Sequence, residues 1–321
     1  MTDPAAVSGL LVVDKPTGCT SHDVVNRLRR VFGTSKVGHA GTLDPAATGV
    51  LVAGIGKATR LLAFLQGTSK EYRAVVRFGV TTTTQDAEGE IVSETSCELD
   101  IEKVRAAAEP FVGEISQLPP MVSAVKVRGE PLYKAARRGE EVEREPRTVC
   151  IFALEVESFD PSNRSATVYV KCSSGTFIRT LGADLGESLG CGAHLSALRR
   201  LSVGSFNESE AVSLEDLEKM DREQAEAALL PMHEAMRDFP RRTVEGSELD
   251  DVVHGRELLT KQAPLRLGEL PVMTTRRTGD RPAHEAGMTA GIPVAILGLD
   301  GQLVAVYRRS AKGLKAAAVL I

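Results

Sequence analysis

Residues 37–49, Val-Gly-His-Ala-Gly-Thr-Leu-Asp-Pro-Ala-Ala-Thr-Gly, admit neither a helix nor an unbroken strand. Glycines at 38, 41 and 49 open backbone angles and close approaches that a side chain would block. Pro45 fixes its own φ and biases Asp44 away from the helical region. The stretch therefore predicts a stiff loop of little bulk, from which one carboxylate, Asp44, projects among small and apolar neighbours. A nucleophile or general base can be presented to a large substrate in this way. Asp-Pro is also an ordinary turn dipeptide, because Asp caps local amides and Pro sets the bend. The carboxylate alone does not decide between these readings.

The flanking sequence supplies the elements that would carry such a loop. Residues 9–13 read as an apolar strand, followed by a turn at 14–18. Thr20-Ser21-His22-Asp23 fits a capping box, opening a helix with Val24, Val25, Leu28 and Val31 on one face. Residues 50–54 read as a buried strand and 58–65 as a short helix. Residues 70–79 alternate, with Tyr72, Ala74, Val76 and Phe78 on one side. A polar turn at 81–89 contains Asp86, and Asp100 caps a helix running to 110. Strands follow at 148–156 and 165–172, and Thr176 is expected to cap a helix over 177–189. Short helices fall within 213–228, and 292–309 form a hairpin turning at Asp300-Gly301. Strands and helices alternate without βαβ regularity, which predicts an α+β fold with a mixed or antiparallel central sheet flanked by helices.

A chain of 321 residues holds about two domains. The composition changes near Thr243, so the expected division is 1–240 and a small β domain over 241–321; residues 257–290 fit no pattern. Hydrophobic content of 42% and charged content of 26% allow a sizeable core and argue against global disorder. Five widely spaced cysteines without a C-x-x-C pair predict reduced thiols rather than a disulfide frame or zinc site. The absence of a long apolar run and of signal-peptide features predicts a soluble, cytoplasmic protein without membrane contact. Net charge is −4, so any binding of nucleic acid must rest on local basic faces. The strongest lies within about 126–147, where Lys126, Arg128, Lys134, Arg137 and Arg138 surround Tyr133, a composition suited to phosphate contact and base stacking. Glu140, Glu141 and Glu143 dilute it. Arg179 falls in the first turn of its helix, where the macrodipole disfavours a cation. It needs an anionic partner there, unless it is a surface arginine paired with Asp184 or Glu187.

The loop sequence GHAGTLDPAATGVL resembles the catalytic loop of the TruB family of pseudouridine synthases, with Gly41, Leu43, Asp44, Pro45, Ala47, Gly49, Val50 and Leu51 filling the pattern. Further segments match in order. They are Lys15-Pro16, Gly18 and Thr20-Ser21 in DKPTGCTS; Lys70 and Tyr72; the run ending at Asp86 and Gly89; PPMVSAVK at 119–126; CSSGTFIRTL at 172–181; and GCGAHLSALRR at 190–200. The resemblance covers most of residues 9–206. It implies isomerisation of uridine to pseudouridine in folded tRNA, at position 55 of the T-loop, with the target base flipped out and no cofactor or metal. Asp44 would be the essential carboxylate, Arg179 its charge partner, and Tyr72 the ring that stacks on the base and assists proton transfer. His39, Lys15, Phe177, Leu198, Lys126, Arg137 and Arg138 would contact or frame the substrate, with Lys15 and Pro16 supporting the site. Phe177 and Val122 stand where the family commonly has tyrosine, leaving packing or stacking but no hydroxyl. The ending of the chain resembles a PUA-type RNA-binding module.

Whether Asp44 attacks the ribose, attacks the base or removes a proton stays open at this level. The implied partner is the T-arm stem-loop of tRNA, met by a monomer with no obligatory protein partner. A guide-RNA-dependent synthase subunit and a non-catalytic tRNA chaperone are the alternatives; the basic insertion favours a stand-alone enzyme. A hydrolase with an aspartate nucleophile would need a second, equally placed carboxylate, and none stands out.

Overall fold

The computed structural model describes residues 7–259, 291–309 and 313–320, so most of the unassigned 257–290 stretch and Lys312 lie outside the described residues. The chain forms two compact units: the described residues of Met1–Pro45, Gly49–Thr68 and Val203–Ile321, and a second made of Ala46–Thr48 and Ser69–Ser202.

In the first unit the apolar strand Gly9–Lys15 runs antiparallel to Thr48–Ile55, with Lys15 opposite Gly49. Val37–His39 pairs with the other edge of the same strand, and Val212–Ser213 lies parallel to Gly9–Lys15. The helix Ser21–Val31 starts at the expected capping box: Thr20 accepts from Asp23 N–H, and the Asp23 carboxylate accepts from Thr20 N–H. Its apolar face buries Val24, Val25 and Leu28 against Leu11, Val13 and Leu51. A five-stranded sheet follows in the order Arg241–Thr243, Pro293–Leu297, Leu303–Arg309, Gly313–Val319, Leu258–Leu259; only the first pair is parallel. Leu10, Val12, Val50, Val52, Phe206 and Met236 share one apolar cluster with Ala295, Val306 and Leu320 of this sheet. The 292–309 hairpin forms as expected. The helix Gly246–Val253 and the strand Gly313–Val319 were not anticipated.

In the second unit the strands lie in the order Ala193–Val203, Lys70–Phe78, Ser165–Cys172, Arg147–Asp160, Gly113–Gln117. Lys70–Phe78 shows the alternation read from its sequence: Tyr72, Ala74, Val76 and Phe78 are buried, and Arg73 and Arg77 are exposed. Asp100 caps the helix Ile101–Ala108 by accepting from Lys103 N–H. The expected cap at Thr176 does not form. The helix runs Ile178–Ser188 with Phe177 at its cap position, while the Thr176 hydroxyl turns back to donate to Ser173 O. The architecture is α+β, with parallel and antiparallel pairing and helices packed on the sheets. Among the described residues no helix is long and apolar enough to cross a membrane.

Candidate active site

The Asp44 loop is held by its neighbours' backbone. The Ser21 hydroxyl accepts from Leu43 N–H at 2.8 Å and donates to Leu43 O at 3.1 Å. On the other side, Pro45 O accepts from Gly18 N–H at 3.0 Å and from the Lys15 ammonium at 3.1 Å. Lys15 is entirely buried, and its ammonium also donates to Pro16 O at 2.8 Å and Cys19 O at 2.7 Å. A buried ammonium is tolerable only when its donors are satisfied. Here they join the turn after the first strand to the carbonyl of Pro45, the residue that follows Asp44. Gly18, at φ +79°, makes that turn possible without strain. Asp44 itself is half-buried, between buried Leu43 and exposed Pro45. His39 ends its short strand half-buried, with Nδ1 accepting from Gly41 N–H at 3.3 Å, which orients the ring within the same loop.

The second unit carries Tyr72, Phe177, Arg179 and Leu198. Arg179 sits in the first turn of its helix and is buried, which rules out the surface pairing with Asp184 or Glu187. Its guanidinium meets the Asp86 carboxylate at 3.3 Å and donates to Thr84 O at 2.9 Å and Val122 O at 2.7 Å. One cation thus ties the 82–89 turn and the 121–123 segment to the helix start. Asp86 is itself fixed by the Thr84 hydroxyl and by Glu88 N–H. Phe177 is held by the side-chain amide of Gln117, which accepts from Phe177 N–H at 2.9 Å and donates to Phe177 O at 3.1 Å. Tyr72 is buried on the Lys70–Phe78 strand, and Leu198 is half-buried on Ala193–Val203.

Lys126, Arg137 and Arg138 come together on a short exposed segment around the helix Leu132–Arg137, which seats Leu132 and Ala135 inward. Arg137 lies 5.4 Å from the centroid of the Tyr133 ring. Arg138 is engaged by carboxylates on two sides, Glu130 and Glu140, whose hydrogen bonds hold the guanidinium charged and both carboxyls below their usual range.

Three positioning groups escaped the sequence reading. Gln117 gave no signal, because an amide before a Pro-Pro pair reads as turn. Asp86 was located in a polar turn but not joined to Arg179, 93 residues away by subtraction of their numbers. Ser21 was read as part of a helix start and of the DKPTGCTS match, but not joined to Leu43.

The comparisons with known proteins agree with one another. Residues 29–178 match the family model described as TruB family pseudouridylate synthase (N terminal domain), and residues 179–237 match the tRNA pseudouridylate synthase B C-terminal domain. The chain is 51% identical over 235 residues to the tRNA pseudouridine synthase B of Syntrophotalea carbinolica, covering 73% of this chain and 76% of that protein. It is 43% identical to the tRNA pseudouridine synthase B of Ralstonia pickettii over 288 residues, 89% of each chain. Among solved structures, the fold resembles one in a Cbf5-Nop10-Gar1 complex, with TM-score 0.73 and 29% identity, covering 98% of this chain and 85% of that one. A chain in an H/ACA RNP bound to a substrate RNA containing 2'-deoxyuridine follows at TM-score 0.71 and 26% identity, covering 98% and 86%. The chain belongs to the TruB family of pseudouridine synthases.

Proposed function

We propose that the protein is a stand-alone tRNA pseudouridine synthase that isomerises uridine 55 of the T-loop. It acts as a cytoplasmic monomer, with 1–240 as catalytic domain and 241–321 as an RNA-touching module. The observation that carries this reading is Asp44, in a family-matching loop where the two residues on either side of it, Leu43 and Pro45, are pinned by Ser21, Gly18 and Lys15. A carboxylate held in this way loses little freedom on reaching its reactive geometry, which is where positioning contributes to rate.

The reaction breaks the C1′–N1 glycosidic bond, rotates the detached uracil and joins C5 to C1′. It is redox-neutral, and the proton leaving C5 is matched by one gained at N1. A base stacked inside folded RNA is out of reach of any side chain, so the target nucleotide must be flipped out. Asp44 serves as the essential carboxylate, and Arg179 as the cation that favours its ionised form. Tyr72 offers its ring to the flipped base and its hydroxyl to the C5 proton transfer, and Phe177 and Leu198 add apolar surface. His39 fills the space the base leaves. Lys126, Arg137 and Arg138 meet phosphates of the T-arm.

Identity of 51% to a tRNA pseudouridine synthase B and the basic segment within 126–147 support the stand-alone reading over a guided one. The test is incubation with an unmodified tRNA transcript, without guide RNA or metal, followed by carbodiimide mapping. Pseudouridine at position 55, lost by more than about 10³-fold in Asp44→Asn, is the expected result, on the scale of losing an essential catalytic group. Tight binding with no pseudouridine would sink the stand-alone claim.

A further inference from the structure

Ser21 stands out among the polar groups around the Asp44 loop. It is 1% exposed, and its hydroxyl is both acceptor and donor to a single residue, Leu43. Neither Leu43 N–H nor Leu43 O has another hydrogen-bond partner among the described residues. The Leu43 carbonyl belongs to the peptide bond that leads into Asp44. One hydroxyl therefore sets the plane from which the carboxylate springs. Buried backbone groups are nearly always paired, and a Ser without its hydroxyl would leave two orphans beside Asp44. The hydroxyl is carried by the first residue of the Ser21–Val31 helix, which is anchored by its apolar face, Val24, Val25 and Leu28, in the cluster with Leu11, Val13 and Leu51.

We infer that Ser21 is a positioning residue for Asp44: its hydroxyl holds the Leu43–Asp44 peptide in the reactive orientation without touching the substrate. The inference rests on the proposed synthase activity. Displacement of a reacting group by about 1 Å can cost about 100-fold in rate, while the RNA-gripping surface is unaffected.

The experiment measures single-turnover pseudouridine formation and tRNA affinity for the full-length wild type, Ser21→Ala, Ser21→Thr and Thr20→Ala. Thr20→Ala removes the cap of the same helix but leaves the clamp on Leu43 in place. The expected result for Ser21→Ala is a rate about 10- to 100-fold lower, with tRNA affinity within about two-fold of wild type. Ser21→Thr, which keeps the hydroxyl, recovers part of the rate. Thr20→Ala melts earlier, as a lost cap should, yet keeps the wild-type rate at a temperature where all variants are folded. Either a wild-type rate in folded Ser21→Ala, or an equal rate loss in Thr20→Ala, overturns the positioning role and leaves the synthase reading intact. If the wild type makes no pseudouridine, both fall.

Discussion

Lys70 opens an interior strand of the second unit with its side chain buried. Burial first, and then the neighbouring Arg200 charge, push its pKa down to about 8. The sign of the consequence follows from proton counting. Below pH about 8 both folded and unfolded chains hold the proton, and the folded state bears the cost of a buried charge. Between about 8 and the ordinary lysine value of about 10.4, the folded lysine is neutral while the unfolded one stays charged. The unfolded state then binds more protons, so stability rises with pH across that window. Urea unfolding between pH about 7.5 and about 10 should show wild type gaining up to about 2–3 kcal/mol relative to Lys70→Met. Parallel pH curves would contradict this account. The same residue shows where sequence is mute: K-x-Y was legible as a motif, but nothing in it says that the ammonium is buried beside Arg200. Asp44 was legible because its loop is contiguous and glycine and proline act locally. Its support was less so, since the Ser21–Leu43 clamp joins residues 22 apart.

At the scale of elements, periodicity served where one face meets a core and the other meets water. Lys70–Phe78 and Ser21–Val31 read correctly for that reason. No element was read over Ala193–Val203, where Arg200 is 1% exposed, because a charged pair after an apolar run gives no local sign that it is buried. The helix Ile178–Ser188 shows a second non-local constraint. A Cβ added to Gly186 would sit 2.4 Å from the backbone nitrogen of Ala193 and 2.4 Å from the carbonyl carbon of Gly192. The glycine lets helix and strand backbones touch. In an exposed helix Gly→Ala would gain about 1 kcal/mol. Here, overpacking against backbone costs about 1–3 kcal/mol or more, so the cost wins. Gly186→Ala should lower the melting temperature by several degrees, about 2–4 °C per kcal/mol for a chain of this size. An unchanged or raised melting point would mean that the two backbones can part freely.

The molecule as a whole carries net charge −4, yet its family acts on a polyanion. A net charge of that sign repels RNA at long range, so attachment must come from local cations whose phosphate contacts release counterions. The exposed segment around Leu132–Arg137 offers such cations, but they are not equivalent. Arg137 lies over Tyr133, with no carboxylate bonded to it among the described residues. Arg138 is gripped twice by Glu130, at 2.9 and 3.0 Å, and twice by Glu140, at 2.8 and 2.7 Å. A phosphate reaching Arg138 must displace a carboxylate already there, so little net charge is neutralised. Each phosphate contact contributes about 0.7–0.9 to the slope of log affinity against log salt. Titrating tRNA onto the protein across about 50–300 mM salt, Arg137→Ala should flatten the slope by about that amount. Arg138→Ala should change it by less than half as much. Equal flattening would mean that RNA pulls Arg138 away from both glutamates. In that case removing both carboxylates, Glu130→Gln with Glu140→Gln, would leave the wild-type slope intact, whereas with Arg138 held by them the same double change frees a cation and steepens the slope.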